Sequence, residues 1–205
     1  GDRATAKALA LQTVRAFADC DYVVVPSGSC AAMLKVHYPR LVSNEPSGIQ
    51  SEVADFTAKV HELCTFLTSI RPLTKVPGRY TGRVTYHDAC SGLRELGVKG
   101  APRRLLALVP GVEITEMTEP ETCCGFGGVF AEKYAGISNA IVTRKADDAT
   151  STSADLLLAG DLGCLMNMAG KLTRDGRPVA CRHVAEVLAG ELADPPIGHR
   201  PTDVR

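Results

Sequence analysis

The chain has 205 residues, 45% apolar and 22% charged, with 23 basic and 23 acidic side chains and a formal net charge of zero. That is the balance of a folded globular protein with room for a buried core, and it excludes disordered, fibrous and coiled-coil chains. With no basic excess, no Trp and only 5% aromatics, nothing marks a nucleic-acid partner, and no run approaches the roughly 20 apolar residues of a bilayer span.

Residues 4–19, rich in Ala and Leu, predict a helix. Asp21-Tyr22-Val23-Val24-Val25, stopped by Pro26, predicts a short buried strand. Over 52–69 the residues Val53, Phe56, Val60, Leu63 and Leu67 share one helical face, which predicts a single helix. A strand is expected over Gly82–His87, a helix over 101–108 closed by Pro110-Gly111, and a strand over Val112–Met117. A helix over 129–149, a strand over Asp155–Ala159 and a helix from about Gly163 follow, then a strand over Pro178–Cys181 and a helix over Val184–Leu192. Strands alternating with helices predict an α/β fold of mostly parallel sheets flanked by helices. From Pro195 on, periodicity is lost and a loose tail is expected.

A weak internal repeat organises the chain. Asp21 opens a strand and Cys30 follows nine residues later; Asp155 opens a strand and Cys164 follows nine residues later. Each Cys then opens a helix containing Met (Met33; Met166 and Met168). The second copy is preceded by about seventy residues that hold Cys90, Cys123 and Cys124, the first by about twenty. Two pseudo-repeats are therefore expected, the first incomplete: 1–78 as its remnant, 79–193 as the complete second, 194–205 as the tail. The opening Gly1-Asp2-Arg3, without Met or an apolar leader, reads as a fragment or a processed start.

The eight cysteines are too dilute for a disulfide-stapled scaffold and point first to metal ligation. Cys90, Cys123, Cys124 and Cys164 are spaced by 32 residues, none, and 39. Each falls just after an expected strand, where parallel sheets converge on ligands. Adjacent cysteines bite poorly on one tetrahedral zinc but reach different irons of one cluster. The glycines of Cys123-Cys124-Gly125-Phe126-Gly127-Gly128 allow close backbone approach and free amides toward sulfur. Buried structural thiols, a disulfide and a zinc site are the competing readings.

These residues carry a resemblance. Cys-Cys-Gly-Phe-Gly-Gly, the upstream Tyr86-His87-Asp88-Ala89-Cys90 and the downstream Asp161-Leu162-Gly163-Cys164-Leu165-Met166-Asn167 resemble the cysteine-rich CCG domain. The pattern is nearest to the iron–sulfur proteins of the lactate utilization protein A, glycolate oxidase and heterodisulfide reductase B group. Pro26-Ser27-Gly28-Ser29-Cys30 and His183-Val184-Ala185-Glu186-Val187-Leu188 add to it, so that it spans roughly residues 5 to 190.

The resemblance implies a [4Fe–4S] cluster on Cys90, Cys123, Cys124 and Cys164. The heterodisulfide reductase relatives carry Cys-x-x-Cys where this chain has Asp161 and, in the first repeat, Ser27. Asp161 is thus a candidate oxygen ligand or hydrogen-bond partner, and Cys30 a further candidate ligand. The implied role is an electron-transfer subunit, a component of an oxidoreductase rather than a complete enzyme. Its partners would be the other subunits of a cytoplasmic system oxidising L-lactate, or a related 2-hydroxy acid such as glycolate. The alternatives are thiol–disulfide catalysis at the cluster and a metal-free or zinc-bearing interaction module.

Other residues have plainer readings. Cys20, Cys64 and Cys181 read as core thiols, and Met33, Met166 and Met168 as core. His87 reads as a hydrogen-bonded residue at a strand end, with ligation or proton donation as alternatives, and His183 as a helix cap. Lys133, Arg144 and Lys145 read as a solvated helix face. No dinucleotide fingerprint, phosphate loop or Gly-x-Ser-x-Gly is present.

Overall fold

Short runs of Val and Leu bounded by Pro, Gly or Asp set the strands, and the longer segments with helical period cover them. The structure, a computed structural model, describes residues 1–199. In chain order, α1 (Arg3–Ala16) leads to β1 (Val23–Val25), then to a helical run of α2 (Gly28–Ala32), a wider π-type turn Met33–His37 and α3 (Tyr38–Leu41). Next come α4 (Ser47–Lys59), β2 (Val60–Glu62), α5 (Leu63–Thr65) and a second π-type turn, Phe66–Ile70. The remainder holds β3 (Gly82–Tyr86), α6 (Cys90–Leu96), α7 (Gly100–Leu106), β4 (Val112–Ile114), α8 (Val129–Lys133) and α9 (Ala135–Ser151). It ends with β5 (Leu156–Ala159), α10 (Leu162–Arg174), β6 (Ala180–His183) and α11 (Val184–Ala189).

The strands form two parallel sheets flanked by helices, as the alternating pattern predicts: β1 with β2, and a four-stranded sheet in the order β4-β3-β5-β6. Central β5 reads Leu-Leu-Leu-Ala with every residue buried, the signature of a strand covered on both faces. Leu157 and Ala159 pack with Val142, Leu165 and Met168 of α9 and α10. Leu156 and Leu158 pack with Leu105, Leu106 and Val187 of α7 and α11. Burying each such Leu contributes about 1.5–3 kcal/mol. Cys64, on α5, joins the second of these clusters and ties the small sheet to the large one.

The helix expected over 52–69 is broken. α4 ends at Lys59, Val60–Glu62 becomes a strand, and helix resumes at Leu63. Two forces outweigh the helical period. Fully buried Val60 pairs with Val23, and the Glu62 carboxylate accepts from the Cys64 and Thr65 amides at 2.9 and 2.8 Å, capping a new helix. The helix expected over 129–149 is interrupted at Tyr134, whose φ of −124° is not helical.

The small and large sheets meet at a glycine pair. A Cβ on Gly28 of α2 would lie 2.8 Å from the Gly92 Cα of α6, so only glycine permits the approach. In the segment expected to be a loose tail, Ile197 bridges to Cys181 and packs against the core, and Arg182 donates to the carbonyls of Leu192 and Asp194. Residues 200–205 of that segment lie outside the described residues.

Candidate metal centre

In the large sheet the chain leaves β3 for β4 on one side and returns to β5 on the other. Connections therefore diverge above the carboxyl ends of β3 and β5, and the crevice between them is where such sheets place ligands. Beyond β3 the chain runs His87-Asp88-Ala89-Cys90; beyond β4 it reaches Cys123-Cys124; beyond β5 it turns through Asp161 to Cys164.

Each approach is held firmly. The His87 amide donates to Leu158 O at 2.9 Å, prolonging the β3–β5 ladder by one residue. Buried Asp88 takes a bidentate pair from Arg103 at 2.8 and 3.0 Å, and the same guanidinium holds Glu116 beyond β4. The loop that carries the paired cysteines is pinned from two helices. Asp148 accepts from the amides of Thr118 and Glu119, and Lys145 donates to Glu119 O. Ser138 donates to Gly125 O at 2.8 Å, and Asn167 donates to Cys124 O at 2.9 Å. Gly125 has φ +83°, and a Cβ there would come 2.7 Å from Ser138 O. Phe126 lies over α10, where a Cβ on Gly163 would meet its ring at 2.6 Å.

Cys90, Cys123, Cys124 and Cys164 all line one cavity of about 220 Å³, together with Ser29, Phe126, Gly127 and Asp161 among others. Cys90 and Cys123 are half-buried; Cys124 and Cys164 are buried. The sulfurs of Cys124 and Cys164 and a ring nitrogen of His87 lie within 4.8 Å of one another. The facing Cys164 thiol pulls Cys124 down to about 5 against the cost of burial, with help from the nearby His87 ring and the Phe126 amide. Cys164 is correspondingly held above the ordinary thiol range. Burial also raises Cys123, while the Gly125 amide, donating to its Sγ at 3.3 Å, works the other way.

The donor set suits a thiolate-bound centre. Soft sulfur ligands select zinc, copper(I) or iron–sulfur clusters, and the cavity is wide enough for more than a single ion. His87 fits the same picture. Its ring is fully buried and neither nitrogen has a hydrogen-bond partner among the described residues, a condition that costs about 1–3 kcal/mol per orphaned group. Its backbone amide prolongs the ladder at the strand end, but among the described residues the ring makes no hydrogen bond of the kind expected of it.

Asp161 lines the cavity, but its carboxylate is engaged: Ser27 Oγ donates at 2.9 Å and the Ser29 amide at 3.0 Å. Burial opposes its ionisation, and these bonds still hold it below the usual carboxylate range. Cys30 is exposed on α2 and lies outside the residues lining the cavity. Cys64 and Cys181 are core thiols as expected, and His183 caps α11 by accepting from the Ala185 amide.

Three plainer expectations are corrected. Cys20 is exposed, because it lies in the turn between α1 and β1. Met33 and Met166 are exposed and only Met168 is core, since the period of α10 turns 166 outward when 168 faces the sheet. Lys133 and Arg144 are exposed, whereas Lys145 is buried, its ammonium drawn inward by the Glu119 carbonyl.

A family profile described as a cysteine-rich domain, CCG, matches residues 84–169. The chain is 44% identical over 183 residues to "Lactate utilization protein A" of Geobacillus kaustophilus, covering 89% of this chain and 76% of that protein. It is 41% identical over 177 residues to the protein of that name in Oceanobacillus iheyensis, covering 86% and 72%. With the one in Shouchella clausii it shares 39% over 182 residues, covering 89% and 75%. The chain belongs to the lactate utilization protein A family. Similarity to the lactate utilization A proteins runs well beyond the cysteine-rich domain, into the sequence on either side. Among the described residues no helix is long and apolar enough to cross a membrane.

Proposed function

We propose that this protein is the iron–sulfur electron-transfer component of a multi-subunit system that oxidises L-lactate, or a related 2-hydroxy acid such as glycolate, to the 2-oxo acid. The carrying observation is that four cysteines, two in the first turns of α6 and α10 and two in the loop after β4, line a single cavity at the carboxyl ends of adjacent parallel strands. Cys90, Cys123, Cys124 and Cys164 would hold one [4Fe–4S] cluster, which when bound accepts and returns one electron. The Gly125 amide directed at Cys123 Sγ disperses thiolate charge, and Asn167 and Ser138 fix the backbone that carries the pair.

Substrate chemistry belongs to partner subunits in this reading. Among the described residues neither Arg nor Lys lines the cavity, so a 2-hydroxy acid carboxylate would find no cation from them there. Asp161, tied to the α2 turn, shapes the wall. The names of the relatives support lactate utilization as the setting, and eight unpaired thiols suit a reducing, cytoplasmic compartment.

Anaerobic reconstitution with ferrous iron and sulfide tests the assignment. Iron and acid-labile sulfide should be incorporated in near-equal amounts, with visible sulfur-to-iron charge-transfer absorption that Cys124→Ser or Cys164→Ser abolishes. Wild-type protein that binds no iron, or zinc alone, overturns it.

A further inference from the structure

The geometry points to His87 as a nitrogen ligand of the same centre, so that one iron carries an imidazole beside the thiolates; this rests on the iron–sulfur reading above. Three observations converge on it. The ring is fully buried, and both nitrogens lack a hydrogen-bond partner among the described residues. A ring nitrogen stands within 4.8 Å of the sulfurs of Cys124 and Cys164, the two buried cysteines of the cavity. The backbone at His87 is fixed on both sides, by its own amide to Leu158 O and by the Asp88–Arg103 pair, so the point from which the ring projects is held in place.

A purely structural histidine would be expected to donate or accept somewhere, and buried polar groups generally do. A packing role alone is met more simply by an apolar side chain. A metal ligand, in contrast, needs an available lone pair close to the other donors, and His87, though not among the residues that line the cavity, has a ring nitrogen within 4.8 Å of two of its sulfurs. Asp161, the other non-sulfur candidate, has its carboxylate bound to Ser27 and Ser29. His87 is therefore the better-placed non-thiolate donor. A neutral imidazole among thiolates lowers the negative charge of a centre and raises its potential.

The test uses the full chain reconstituted anaerobically with iron and sulfide, in natural abundance and with 15N-labelled histidine. Pulsed EPR of the reduced protein should show a directly coordinated nitrogen whose coupling changes with the histidine label and disappears in His87→Ala and His87→Cys. Mössbauer spectra of the 57Fe-loaded, oxidised protein should show one iron, the one that carries both a thiolate and the imidazole, distinct from the rest and merging with them in His87→Ala; His87→Cys, which keeps a donor if the alanine variant fails to fold, should keep a distinct iron while losing the nitrogen coupling. A wild-type cluster insensitive to the histidine label, with no distinct iron, overturns the ligand assignment and leaves the cluster standing. Wild-type protein that takes up no iron overturns both.

Discussion

Ser27 donates to Asp161 across 134 residues of sequence, at 2.9 Å. Both occupy the same place relative to a strand and a cysteine: Ser27 lies three residues before Cys30, Asp161 three before Cys164. The bond joins the turn after β1 to the turn after β5, and the Ser29 amide reinforces it. Asp161→Ala removes the acceptor and leaves a part-buried hydroxyl and an amide without their partner. It should lower unfolding free energy by about 1–3 kcal/mol, with Ser27→Ala costing less because the Ser29 bond survives. Urea denaturation of the three proteins checks the order; equal losses would show that the carboxylate does not clamp the two turns together.

The Gly28–Gly92 contact is asymmetric and gives opposite outcomes for one substitution. A Cβ on Gly28 would come 2.8 Å from Gly92 Cα, a backbone atom that cannot swing away. A Cβ on Gly92 would sit 3.6 Å from Gly28 Cα, ordinary contact. Gly28→Ala should destabilise by about 1–3 kcal/mol as α2 and α6 are forced apart. Gly92→Ala should be neutral or stabilise by up to about 1 kcal/mol through helix propensity. Thermal melts of both variants read the sign.

Much of the fold was legible because the chain advertises it. Leu156–Ala159 is too apolar for anything but a doubly covered strand, and the cysteine positions fall where parallel strands end. β2 was hidden because Val60 satisfies the helical face of α4 and the strand pairing alike. The partner strand Val23–Val25, more than thirty residues away, decides between them together with the Glu62 cap. The same limit applies to the site. Spacing grouped the four cysteines, but whether His87 keeps a hydrogen-bond partner depends on neighbours from β5 and α10 that no local pattern encodes. The inward turn of Lys145 likewise depends on a carbonyl 26 residues away.

Phe126 forms part of the cavity wall and rests on Gly163, where any Cβ would press within 2.6 Å of the ring. Gly163→Ala should displace the ring, open the wall and speed loss of iron from reconstituted protein. Phe126→Ala should also speed it. In the double variant the added cost of Gly163→Ala should vanish, because the atom it collides with is gone. Chelator-driven bleaching rates for the four proteins make the cycle; additive rates would show that the two residues do not meet.

Lys145 places a buried ammonium under the loop that carries the paired cysteines, with Cys124 among the charges that act on it. Burial draws its pKa below the ordinary lysine value, while Asp148, Glu119 and Cys124 resist that fall. A nearby positive charge favours the reduced, more negative centre. Lys145→Met should therefore lower the reduction potential by roughly 40–90 mV, equivalent to about 1–2 kcal/mol. Redox titration of reconstituted wild type and variant measures it. An unchanged potential with a lower melting temperature would restrict the lysine to holding Glu119.

Alkaline stability follows from the core thiols away from the cavity. Burial alone pushes Cys181 from an unfolded value of 9.0 up to about 12. Below pH 9 the thiol is protonated in both states and the preference for the fold is fully present. Between 9 and 12 the unfolded chain gives up the proton and the native chain keeps it. The unfolded state then binds fewer protons, and stability falls as pH rises, by about 1.4 kcal/mol per pH unit for one such group. Cys64, raised further by burial and the neighbouring Glu62, acts in the same direction. Cys181→Ala should lower stability at pH 7 through the cavity it leaves, yet flatten the decline above pH 9 by the slope of one proton. Denaturant midpoints of the metal-free, reduced proteins between pH 7 and 11 give both quantities. Parallel curves for wild type and variant would mean that this thiol meets water in the native state, against its place beside Leu157 and Val179 in the core.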